Sequence, residues 1–219
     1  QKGGVGKTTT ALNLAAALAR SGQTTYGIDL DPQAQFSSIA VIIANSGDET
    51  VLSLFQRNRP LNELVKESSS GIKIIPAHSE LSKVDALFGK GFNVVNRLNT
   101  GLRVENLGNK TNPVIIDCCP MIGVLSLNAI FACDCLIVPI SADYLSAKGA
   151  VQIDKTLKAL EQVLKRRVNR RYLLTRFDGR RNMSGEVLRM AEEKFGEDVC
   201  RTRIAENVSL AESPALNKT

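Results

Sequence analysis

Long apolar runs are missing from this sequence. The longest, such as Val114 to Ile116 and Leu136 to Ile140, are far too short to cross a bilayer as a helix. No signal peptide opens the chain, so a cytoplasmic protein is expected. Paired cysteine spacing is missing as well. Cys118, Cys119, Cys133, Cys135 and Cys200 are odd in number and contain no C-x-x-C, which fits reduced thiols and not a disulfide framework. Histidine occurs once, at His78, and no Ser/His/Asp arrangement can be built around it. No long polar or low-complexity tract interrupts the 219 residues, 43% of them hydrophobic, so one domain over 1–219 with a full core is expected.

What the sequence does contain begins at once. Gln1-Lys2-Gly3-Gly4-Val5-Gly6-Lys7-Thr8-Thr9 follows the phosphate-loop pattern G-x-x-x-x-G-K-[ST], with Gln1 in place of the first glycine. Gly3, Gly4 and Gly6 can take positive φ and let backbone N–H groups close on phosphate oxygens, while the helix that follows aims its positive end at the same anion. Lys7 is placed to reach the outer phosphates of a nucleotide, and the Thr8 hydroxyl to ligate Mg²⁺.

Thr8 to Arg20 carries a helical apolar pattern with no breaker before Gly22. Short apolar runs at Thr24–Leu30, Ile72–Ile75, Val114–Ile116, Leu136–Ile140 and Tyr172–Leu174 read as strands, with helical patterns between them, Val151–Leu164 the clearest. Strands alternating with helices argue for an α/β fold, a mostly parallel sheet covered on both faces, with ligands at the carboxyl ends of the strands. Two acids end such strands. Asp31 is the candidate for holding the attacking water in a phosphoryl transfer, and Asp117 for holding Mg²⁺ through water; for Asp31, and more so for Asp29, capping the next helix is the alternative.

The segment K-G-G-V-G-K-T-T resembles the deviant phosphate loop of the ParA/MinD superfamily of P-loop ATPases. The likeness continues through Asp29-Leu30-Asp31-Pro32-Gln33, Val114-Ile115-Ile116-Asp117-Cys118-Cys119-Pro120, Leu173-Leu174-Thr175-Arg176-Phe177-Asp178 and Asn207-Val208-Ser209-Leu210-Ala211-Glu212-Ser213-Pro214, the later segments being similar to the ParA/Soj branch. The resemblance implies a P-loop NTPase-like fold, ATP and Mg²⁺ as ligands, and a sandwich homodimer in which Lys2 contacts the partner's nucleotide. It adds Val5, Thr9 and Asn207 to the nucleotide-binding set. It also implies that the strand leading into the loop, and a last helix, belong to a longer chain of which this is a fragment.

Two departures stand out. Cys119 replaces the first proline of the family's D-x-P-P switch, removing one fixed φ, so a looser switch loop is expected; a metal or redox role for Cys118 and Cys119 lacks any ligand spacing. Glu206 and Ser209 stand where the family has two arginines, one of them a DNA contact in relatives.

The net charge of +6 is confined to one third of the chain: between Lys158 and Arg203, thirteen Lys/Arg face seven Asp/Glu. That surplus suits a polyanion. Arg166, Arg167, Arg170 and Arg171 form one candidate DNA-binding cluster and Arg180 with Arg181 another, the second pair matching a family DNA position; for the first, a solvated loop is the alternative. The expected cycle is ATP-dependent dimerisation, nonspecific binding to nucleoid DNA, and hydrolysis stimulated by a ParB-like or cargo-adaptor protein. Positioning of a protein cargo and a membrane-surface ATPase of the MinD type are the rival readings, the latter requiring an amphipathic helix not visible here.

Overall fold

The computed structural model describes residues 4–89 and 91–207. They gather into two compact units, one of residues 8–133 and one of 4–7 with 134–207. No helix among the described residues is long and apolar enough to cross a membrane.

In the first unit, helix α1 (Lys7–Arg20, beginning one residue before the unit) is followed by β1 (Tyr26–Asp29), α2 (Gln35–Ile39) and α3 (Leu52–Arg57). Then come β2 (Lys66–Glu67), β3 (Lys73–Ile75), α4 (Val84–Phe88), α5 (Phe92–Val95), α6 (Arg97–Val104), β4 (Val114–Asp117) and α7 (Val124–Ala132). The sheet order is β2-β3-β1-β4, with β1 parallel to both neighbours and only β2 antiparallel. All four residues of β1 are buried, as a strand covered on both faces requires. Gly27 is the close approach in that strand: a Cβ there would lie 2.6 Å from the Phe36 ring, which packs directly over the backbone.

The core of this unit lies on both faces of the sheet. Leu12, Ala15, Ala16, Phe36, Ile72 and Ile74 form one cluster, and Ile28, Leu30, Phe55, Ile75, Leu98 and Val124 belong to a larger one. Buried Asn128 of α7 is satisfied within the second cluster. Its carbonyl accepts from Leu98 N at 3.0 Å and its amide donates to the Val94 carbonyl at 3.0 Å, which fixes the junction of α5 and α6.

The second unit contains β5 (Leu136–Ser141), α8 (Tyr144–Leu164), β6 (Arg170–Phe177), α9 (Asn182–Phe195) and β7 (Val199–Ala205), with the fully parallel order β5-β6-β7. Asp143 caps α8 by accepting from Ser146 N at 2.9 Å, which starts this helix seven residues before the Val151 expected from periodicity. Tyr172 is fully buried and stacks on Phe195 with ring centroids 3.7 Å apart. The expected mostly parallel sheet is thus present as two sheets, one in each unit.

Candidate nucleotide site and basic surface

The phosphate loop has the backbone its sequence calls for. Gly4 and Gly6 lie at φ +80° and +87°, in the left-handed region that favours glycine, and a Cβ at Gly4 would meet nothing within 4 Å. The first turn of α1 is Lys7, Thr8, Thr9 and Thr10, with no acidic residue, so no carboxylate competes with a bound anion at the positive end of this 14-residue helix. Val5 is held from behind: the Thr175 hydroxyl, at the end of β6, donates to its carbonyl at 2.9 Å. Lys2 and Gly3 lie outside the described residues, and Asn207 is the last described one, exposed beyond β7.

The acids sit at the carboxyl ends of β1 and β4, where an open parallel sheet presents ligand groups. Parallel register sets Asp29 opposite Asp117, and Leu30 N donates to the Asp117 carbonyl at 2.8 Å. Asp29 serves the fold. It is fully buried and accepts from Ser37 N at 2.9 Å, Ser37 Oγ at 2.7 Å and Asp31 N at 3.1 Å, while Ala77 N donates to Ser37 Oγ at 3.2 Å. The residue before α2 is Ala34, which has no side chain to cap the helix, so Asp29 supplies the cap from the neighbouring strand. Burial pushes its carboxyl up from the ordinary range, against the hydrogen bonds that favour the anion.

Asp31 is different. It is half-buried, its Oδ1 accepts only from Gln33 N at 2.9 Å, and its Oδ2 accepts no hydrogen bond among the described residues. One oxygen fixes the loop and the other is available for a water. Asp117 is buried at the end of β4. The described residues contain no group of three or more His, Cys, Asp or Glu arranged to hold a metal. The oxygen donors Thr8 and Asp117 suit Mg²⁺, which keeps most of its waters and takes one or two protein ligands.

The loop that follows Asp117 is anchored at its far end by a residue that sequence reasoning missed. Asp85 of α4 accepts from Val124 N at 2.9 Å, capping α7, and a Cβ at Gly123 would lie 2.5 Å from its Oδ2. The Cys119 thiol is raised by burial first, and then by the negative charges of Asp31 and Asp85, so it stays protonated. Nothing in the sequence around Asp85 signals this tie, because its partner is a backbone amide 39 positions away.

The basic third separates into unlike residues. Arg170 is corrected: its side chain is only 5% exposed, with Nε 3.4 Å from Asp154 and Nη2 3.2 Å from Glu161, so it is an interior ion-pair partner and not a surface contact. Strand alternation is the reason, since Arg170 and Tyr172 point inward and Arg171 outward. Arg167 and Arg171 are exposed and both reach Asp198, at 2.9 and 2.8 Å; Arg166 is exposed on the preceding turn. Arg180 is 91% exposed. It grips Asp178 with two nitrogens, Nε to Oδ1 at 2.9 Å and Nη2 to Oδ2 at 3.0 Å, which holds that carboxyl down at about 2. Arg181 donates to Glu206 at 2.9 Å, as does Arg176 at 2.9 Å.

The chain is similar to known proteins along its whole length. The family model described as an AAA domain matches residues 1–170. The chromosome partitioning protein ParA of Caulobacter vibrioides is 33% identical over 220 aligned residues, covering 100% of this chain and 82% of that protein. The chromosome-partitioning ATPase Soj of Thermus thermophilus is 36% identical, with 100% and 84% covered. Among solved structures, cobyrinic acid a,c-diamide synthase of Mycobacterium smegmatis with a bound ATP analogue and magnesium superimposes with a TM-score of 0.84 at 25% identity, covering 99% of this chain and 89% of that one. With one third or more of its residues identical to these partitioning ATPases along the whole chain, the chain belongs to the ParA/Soj family of P-loop ATPases.

Proposed function

We propose that this chain is a Mg²⁺-dependent ATPase that forms a homodimer around ATP, binds DNA without sequence preference while dimeric, and releases it when a ParB-like or cargo-adaptor protein stimulates hydrolysis. The observation that carries the reading is the phosphate loop, with Gly4 and Gly6 left-handed and an acid-free first turn in α1. Backbone N–H groups from Gly4 to Thr8 and the Lys7 ammonium hold the phosphates, with Gly3 and Thr9 completing the cradle. The Thr8 hydroxyl, and Asp117 through water, would hold Mg²⁺, which would supply charge neutralisation on the phosphate oxygens. Asp31 orients the attacking water through the oxygen that its turn leaves available. Lys2 gives ATP a contact that exists only in the dimer, and a ligand shifts an association equilibrium only through such differential contacts.

Family membership supports chromosome or plasmid partitioning as the purpose and the nucleoid as the place of action. Sedimentation with ATP tests the cycle. Lys7→Ala should lose nucleotide binding, whereas Lys2→Gln should bind ATP and stay monomeric; a Lys2→Gln protein that dimerises fully would falsify the role of Lys2 across the interface.

A further inference from the structure

The exposed arginines around the end of β6 are already occupied by the protein's own carboxylates. Asp178 holds Arg180 by a two-nitrogen grip and lies 3.5 Å from Arg181 Nε. Glu206 divides its two oxygens, Oε1 taking Arg176 Nη2 at 2.9 Å and Oε2 taking Arg181 Nη1 at 2.9 Å. Three guanidinium groups are thus bridged by two carboxylates into one chain of ion pairs: Arg180, Asp178, Arg181, Glu206, Arg176.

The backbone is shaped for this arrangement. Arg176 stands at φ +52°, a left-handed conformation that costs a non-glycine residue about 1 kcal/mol or more. It sits where the pairing of β6 with β7 shifts register, between Leu174 opposite Arg203 and Phe177 opposite Ala205. On the far side of that irregularity Glu206 N donates to the Phe177 carbonyl at 3.3 Å, which fixes Glu206 beside the strand. A strained residue in a bulge is thereby aimed at an anchored carboxylate. Arg203 lies over the Phe177 ring, 5.1 Å from its centroid.

We propose that Asp178 and Glu206 are built-in competitors for phosphate, so that a polyanion reaches Arg176, Arg180 and Arg181 only by displacing them. This rests on the DNA-binding reading above and adds a threshold to it. Exposed ion pairs are individually weak, so the carboxylates do not block the surface. They subtract from its affinity, and a ligand presenting one or two charges gains too little to open the chain, whereas a continuous phosphodiester backbone engages several guanidinium groups together. Glu206 is the critical element because, among the described residues, it alone joins Arg176 to Arg181.

The test is titration of mixed-sequence duplex DNA, with ATP and Mg²⁺, over a salt series. Four proteins are compared: wild type, Glu206→Gln, Glu193→Gln and Arg180→Ala with Arg181→Ala. Glu193→Gln changes the net charge equally from α9 without touching Arg176 or Arg181. Glu206→Gln should bind about 3–10-fold more tightly than wild type at low salt and steepen the slope of log affinity against log salt by roughly one, as one further phosphate contact does. Glu193→Gln should shift affinity much less, and the arginine double variant should weaken binding and flatten the slope. If wild type binds DNA and Glu206→Gln matches it, or only matches Glu193→Gln, the competition is absent although the DNA reading stands. If none of the four binds DNA in any salt, the DNA reading fails and this inference falls with it.

Discussion

The hydroxyl of Thr175 donates to the carbonyl of Val5 across 170 positions of sequence, tying the end of β6 to the middle of the phosphate loop. A loop whose glycines sit at positive φ is costly to order, and a fixed carbonyl reduces what a nucleotide must still organise. Thr175→Val keeps the shape and removes the donor. Nucleotide affinity measured by calorimetry should fall about 3–10-fold, the equivalent of one net hydrogen bond, and Thr175→Ser should restore it.

Asp29 and Asp31 are two residues apart and should fail in different ways. Asp31→Ala should bind ATP within a few-fold of wild type and lose about 100-fold or more in turnover, since positioning of the water is lost and the cradle stays. Asp29→Ala leaves Ser37 and Asp31 amides without their acceptor and should cost about 2–4 kcal/mol in stability. Steady-state turnover beside denaturant unfolding separates the two; wild-type turnover in Asp31→Ala would make that residue a turn former.

Arg170 and the exposed arginines should separate in the same way. Arg170→Ala strips the buried partner from Asp154 and Glu161 and should cost about 3–5 kcal/mol in unfolding free energy. Arg180→Ala with Arg181→Ala should change stability by less than about 1 kcal/mol. Equal effects on melting would contradict the inward placement of Arg170.

Asp178 gives a pH signature. Its folded-state pKa, about 2, lies below the ordinary value of 3.8, so its contribution to stability is present above that ordinary value and is lost as pH falls through about 2. The difference in melting temperature between wild type and Asp178→Asn should therefore be constant from pH 8 to 5, shrink below pH 4 and vanish only below about pH 2. A difference that instead grows on acidification would mean the grip of Arg180 is not formed in solution.

Local chemistry was readable where short segments determine it. The loop glycines, the first helix and the five apolar strands follow from spacing and composition, and the expected strand ends match to within a few residues. The seventh strand was not anticipated, because Val199–Ala205 carries exposed Arg201 and Arg203 and lacks the continuous apolar character of a covered strand. A count of charge along the chain groups Arg170 with its neighbours, because it cannot see that Arg170 and Arg171 of β6 face opposite ways. Asp85 and Glu206 act on partners distant in sequence, where no local pattern exists. Asp29 shows the limit from the other side: its acidic motif was legible, but its work as a remote helix cap depends on Ala34 having nothing to offer.

On the proposed cycle, an ATP-loaded dimer carries the DNA-binding state. The most direct measurement is binding of the intact protein to mixed-sequence duplex DNA and, in parallel, to anionic liposomes, with ATP and Mg²⁺, with no nucleotide, and with Lys7→Ala. DNA binding is expected only in the ATP sample, with log affinity falling linearly with log salt, and liposome binding in none. ATP-dependent binding to liposomes, or DNA binding equally strong in all three samples, would contradict it.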